Sequence, residues 1–127
     1  MPSVTFPATT VLDLLGRMLE GEPRVMLFGA SGVGKTTLAG QLCRALHEHG
    51  HAAVCLSADV GLPGFGAPGA VGLARWDAGG WQLLDLEAVC SLDAVRFRLP
   101  LIMAVDRLLA RYSAPVQVLD APGVVRG

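Results

Sequence analysis

Residues 24–36 read Arg24-Val25-Met26-Leu27-Phe28-Gly29-Ala30-Ser31-Gly32-Val33-Gly34-Lys35-Thr36: an apolar run, a glycine-rich loop, a lysine and a hydroxyl residue. The residues that follow, 35–49, carry Leu38, Ala39, Leu42, Ala45 and Leu46 at helical spacing, and Gly50 is the expected stop. Strand, glycine loop and helix in this order decide the fold. Residues 29–36 match GxxxxGK[ST] in full. Glycines there allow backbone conformations that a side chain forbids and let amides approach an anion. The helix directs its unpaired N–H groups and positive dipole end at the same anion. Lys35 brings a point charge to the β- and γ-phosphates, and the Thr36 hydroxyl is a ligand for Mg²⁺. Gly29, Ala30, Ser31, Gly32, Val33, Gly34, Lys35, Thr36 and Thr37 are therefore the expected binding loop for a nucleoside triphosphate.

Working outward, residues 11–20 have helical periodicity, with Thr10 and Asp13 resembling a capping start. Residues 24–28 read as the first strand and 52–56 as the second. Residues 61–72, with Pro63, Gly64, Gly66, Pro68 and Gly69, read as a long irregular loop. Residues 71–76 and 81–86 suggest a short hairpin across Asp77-Ala78-Gly79-Gly80. A helix is expected over 99–112, with Pro100 in its first turn, and a third core strand over 116–119. The order predicts an α/β P-loop NTPase fold: a doubly wound, mainly parallel sheet with helices on both faces. In such sheets ligands bind at the carboxyl ends of the strands, where the glycine loop, Asp59 and Asp120 all fall. Asp59 can hold Mg²⁺ or take a proton from an attacking hydroxyl. Asp120 can hold Mg²⁺ or a water.

The 127 residues fit one domain. About half are apolar (52%) and 17% are charged, which supports a packed core and argues against disorder. The net charge of −1 gives no sign of nonspecific nucleic-acid or membrane binding. No stretch is apolar and long enough to span a bilayer, and the N-terminus lacks the pattern of a signal peptide. Cys43, Cys55 and Cys90 form no CxxC pair and are expected as buried free thiols in a reducing cytoplasm. His47 and His51 stand four apart, but Gly50 ends the helix between them. Trp76 and Trp81 are read as hairpin packing before base stacking, and Phe65 as a loop anchor.

The residues taken together resemble a family, the polynucleotide 5′-hydroxyl kinases related to the kinase subunit of the pre-mRNA cleavage machinery. Four elements carry the resemblance, over residues 24–127: the loop 29–36; Asp59-Val60-Gly61-Leu62-Pro63-Gly64, like D-x-G-Q followed by Pro-Gly; the segment 91–101; and Asp120-Ala121-Pro122-Gly123-Val124-Val125-Arg126-Gly127. The resemblance implies transfer of the γ-phosphate of ATP, with Mg²⁺, to the 5′-hydroxyl of RNA or DNA. Lys35 and Thr36 would hold ATP and metal, and Asp59 would sit near the acceptor hydroxyl. Gly123 would clamp the phosphates, and Arg96 and Arg98 would contact the acceptor. Three departures stand out. The family's Gln is Leu62, its clamp tryptophan is Val124, and its lid arginines lie beyond the clamp, which implies that the chain is the N-terminal part of a longer protein. Ala30 stands where partitioning-type ATPases carry a second lysine, which weighs against that group.

Two other readings use the same residues. A regulatory or metallochaperone GTPase would use Asp120 and Gly123 as a DxxG switch element, and would need a guanine-reading segment that this sequence does not contain. A non-catalytic ATP-binding switch or scaffold would bind nucleotide without transfer. The oligomeric state is left open by the sequence.

Overall fold

Three strands run parallel side by side in a computed structural model, which describes residues 8–28, 34–61, 63–93, 96–112 and 114–122. In chain order the elements are α1 (Ala8–Glu20), β1 (Arg24–Leu27), α2 (Lys35–Glu48), β2 (Ala53–Ser57), β3 (Ala70–Asp77), β4 (Gly80–Ala88), α3 (Arg98–Arg111) and β5 (Val116–Asp120). One five-stranded sheet has the order β1-β5-β2-β3-β4. The last core strand, β5, lies between the first two: Leu27 and Ser57 both stand opposite Asp120. All three carboxyl ends therefore reach the same edge of the sheet.

Side chains alternate between the faces, as strand geometry requires. Cys55, Val116 and Val118 pack under α1 and α2 with Leu15, Met18, Leu42 and Leu46. Val54 and Leu56, with Val71 and Leu73, pack under α3 against Leu101, Ala104 and Leu108. Helices on both faces match the expectation. The sheet is mixed, however, and not mainly parallel, since β2 pairs with β3 and β3 with β4 in antiparallel fashion. A parallel neighbour needs a crossover, usually a helix. The segment joining β2 to β3 contains no helix among its described residues, so the chain simply reverses.

The hairpin forms where its turn residues place it, but longer than read. β3 begins at Ala70, which shortens the irregular loop, and Trp76 faces Trp81 across the ladder. The start of α1 also differs, since the helix already includes Ala8 and Thr10 lies inside it rather than capping it. The end of α2 follows the sequence closely. Gly50 takes φ +77°, its N–H donates to the His47 carbonyl, and the His51 N–H donates to the Leu46 carbonyl. That paired closure satisfies the last carbonyls of the helix and favours glycine. Cys43 and Cys55 are buried thiols; Cys90, just beyond the end of β4, is exposed, against expectation. No helix among the described residues is long and apolar enough to cross a membrane.

Candidate functional site at the carboxyl edge of the sheet

α2 begins directly above the end of β5. Gly34, its N-cap, adopts φ +94°, a left-handed conformation that favours glycine, and offers no side-chain cap. Leu38 is the first residue whose N–H returns to this end of the helix, on the Gly34 carbonyl. The amides of the first turn thus face the strand ends with the positive pole of the helix behind them.

Two residues of that turn meet β5. The Thr36 hydroxyl donates to Asp120 Oδ2 at 2.8 Å across 84 positions of sequence. Asp120 is only 2% exposed, and its other oxygen, Oδ1, is buried without a hydrogen-bond partner. Burial raises the Asp120 carboxyl above its ordinary value. The Thr36 hydrogen bond and the Lys35 charge oppose that rise, and the Asp59 charge adds to it. Lys35 is itself 8% exposed, unusual burial for an ammonium. Lys35, Thr36, Asp59 and Asp120 therefore form one electrostatic group, drawn from α2, the segment after β2, and β5.

A buried carboxylate oxygen without a donor is costly unless something answers its charge. Asp120 Oδ1 and the Thr36 hydroxyl are two hard oxygens at the start of a helix, a donor set that fits a hard divalent cation.

Sequence reasoning missed a further part of the site. After Asp59 the chain folds back over Thr36. A Cβ built on Gly64 would stand 2.5 Å from Thr36 Cγ2, so any side chain there would force Thr36 or the turn to move. The Gly64 N–H donates to the hydroxyl of Ser57, a fully buried serine at the end of β2. The one sequence signal was the Pro63-Gly64 pair, which marks a turn and not its neighbour. On the other side, a Cβ at Gly61 would stand 2.9 Å from the Leu92 carbonyl oxygen, so the segment leading to α3 lies against the Asp59 loop.

Arg96 and Arg98 are exposed at the start of α3. No hydrogen bond or ion pair of the described residues ties them to Asp120. The Arg96 N–H donates to the Asp93 side chain, which shapes the turn into the helix. Gly29, Ala30, Ser31, Gly32, Val33, Leu62, Gly123 and Val124 lie outside the described residues. Hollows among the described residues lie away from this edge. One of about 630 Å³ is lined by His47, His51, Arg75 and Tyr112, at the far end of α2. That helix has 14 residues, which puts it about 20 Å from Lys35.

No protein-family model matches the chain, and no curated protein matches it.

Proposed function

We propose that this chain is a P-loop nucleotide-binding domain that holds ATP with Mg²⁺ and transfers its γ-phosphate to the 5′-hydroxyl of a polynucleotide. The observation that carries the nucleotide part is the hydrogen bond from Thr36 to buried Asp120, whose second oxygen lacks a partner. It joins the glycine-loop motif to the strand-end aspartate that sequence alone picked out separately. The acceptor rests on the resemblance to polynucleotide 5′-hydroxyl kinases, in the order and spacing of its four elements.

Each residue then has a task. The first-turn amides of α2 and Lys35 bind the β- and γ-phosphates and neutralise charge as it moves to the leaving oxygen. Asp120 and Thr36 would hold Mg²⁺, which supplies charge neutralisation across the same phosphates. Asp59 stands close enough to Asp120 for their charges to interact, and accepts the proton of the 5′-hydroxyl. The acceptor oxygen forms a bond to the γ-phosphorus as the bond to the β,γ-bridging oxygen breaks, and ADP leaves. Arg96 and Arg98, exposed beyond the Asp59 loop, would engage acceptor phosphates.

The test is incubation with Mg²⁺, γ-labelled ATP and a 5′-hydroxyl oligonucleotide, with GTP in parallel and Lys35→Ala as control. Label should pass to the oligonucleotide and fall by about a hundredfold or more in Lys35→Ala. Phosphate released from GTP alone, without transfer, would replace the proposal with a GTPase. Nucleotide binding without transfer or hydrolysis would replace it with a switch or scaffold protein.

A further inference from the structure

Gly40 and Gly72 sit inside regular elements, α2 and β3, where glycine is less favourable than alanine. Both have an aromatic ring laid on them. A Cβ on Gly40 of α2 would meet Trp76 and Trp81 at 3.7 and 3.8 Å. A Cβ on Gly72 of β3 would stand 3.1 Å from two carbons of the Phe65 ring. Phe65 leans on Trp81 with ring centroids 4.9 Å apart, and Trp81 meets Trp76 edge-on at 5.1 Å. All three rings pack on the core under α1 and α2. They cover the hairpin end of that face.

Phe65 directly follows Gly64, which presses on Thr36. The next residue, Gly66, turns the chain at φ +81°. A line of contact therefore runs from Trp81 through Phe65 and Gly64 to the hydroxyl residue bonded to Asp120. We propose that Phe65 is a positioning residue: seated between Gly72 and Trp81, it fixes the 63–66 turn on Thr36, and Trp81 in turn reports occupancy of the phosphate site. This rests on the nucleotide reading above. Packing complementarity gives the coupling its force, since the ring lies so close over the bare backbone of Gly72 that an added Cβ would stand 3.1 Å from it, and it packs against the Trp81 indole as well.

The test follows indole fluorescence of the full chain during titration with Mg²⁺ and ATP, while equilibrium dialysis with labelled ATP measures binding directly. The wild type should show a saturable spectral change that survives Trp76→Phe and is lost in Trp81→Phe. Phe65→Ala should lose the spectral change and bind ATP about tenfold more weakly, the equivalent of one misplaced hydrogen bond. Phe65→Leu keeps apolar bulk against a folding defect and should recover part of the affinity. Wild-type affinity and an undiminished Trp81 signal in Phe65→Ala would overturn the proposal and leave the nucleotide reading standing. Absence of ATP binding by the wild type in dialysis would overturn both.

Discussion

Replacing Gly64 with alanine puts the link between the Asp59 loop and the proposed phosphate site to a direct test. The new methyl would stand 2.5 Å from Thr36 Cγ2, about 1 Å inside a normal carbon–carbon contact. Two relaxations can relieve it. If Thr36 rotates, its 2.8 Å hydrogen bond to Asp120 breaks. Because Oδ1 already lacks a partner, both oxygens of a buried carboxylate are then unsatisfied. That loss costs about 1–3 kcal/mol. If the turn withdraws instead, the Gly64–Ser57 hydrogen bond goes and Phe65 leaves its seat against Trp81, a loss of about 1–2 kcal/mol. Either route lowers stability by roughly 1–3 kcal/mol and moves the urea midpoint down by about 1 M. Nucleotide affinity in Mg²⁺ should fall as well, because the first route breaks the Thr36–Asp120 hydrogen bond and the second removes the turn that packs on Thr36. The measurements are urea unfolding followed by circular dichroism, and labelled-ATP dialysis. Wild-type values in both would show that the turn does not bear on Thr36, and the argument for a composite site would fail.

Three further outcomes are expected. Burial holds the Asp120 carboxyl above its ordinary 3.8, so the unfolded chain releases that proton first and folding stability falls as pH rises between the ordinary and the raised value. Asp120→Asn keeps an acceptor for Thr36 and removes the charge. It should raise the urea midpoint at neutral pH, by a margin that vanishes below about pH 3.8, and should abolish Mg²⁺-dependent nucleotide binding; an unchanged midpoint at pH 7 would refute the burial argument. Gly16 in α1 has no atom within 4 Å of an added Cβ, so Gly16→Ala should stabilise the fold by about 0.5–1 kcal/mol in the same unfolding assay. In a thiol titration with a chromogenic disulfide, Cys90 should react in the native protein while Cys43 and Cys55 wait for denaturant. The Cys43 contact and burial both push the Cys55 thiol up and keep it protonated.

Local pattern was enough to locate every helix and strand to within a few residues, because periodicity and turn chemistry act over a handful of positions. The glycine stop after α2, the hairpin turn and the aspartates beyond β2 and at the end of β5 were legible for that reason. Which strands would pair, and in which direction, was not written locally. Placing β5 between β1 and β2 depends on closing long loops and filling two apolar layers at once, and it is this order that brings Thr36 to Asp120. The antiparallel hairpin overturned the expectation of a mainly parallel sheet for the same reason, since direction follows from how the connection packs. The absence of a CxxC pair led to Cys90 being read as a buried free thiol, but could not show that its neighbours leave it exposed. Residue types alone thus picked out the GxxxxGK[ST] motif and the two strand-end aspartates. The contact of Gly64 with Thr36, the seat of Phe65 and the unanswered oxygen of Asp120 belong to tertiary structure, because each depends on atoms far apart in sequence meeting within a few ångströms.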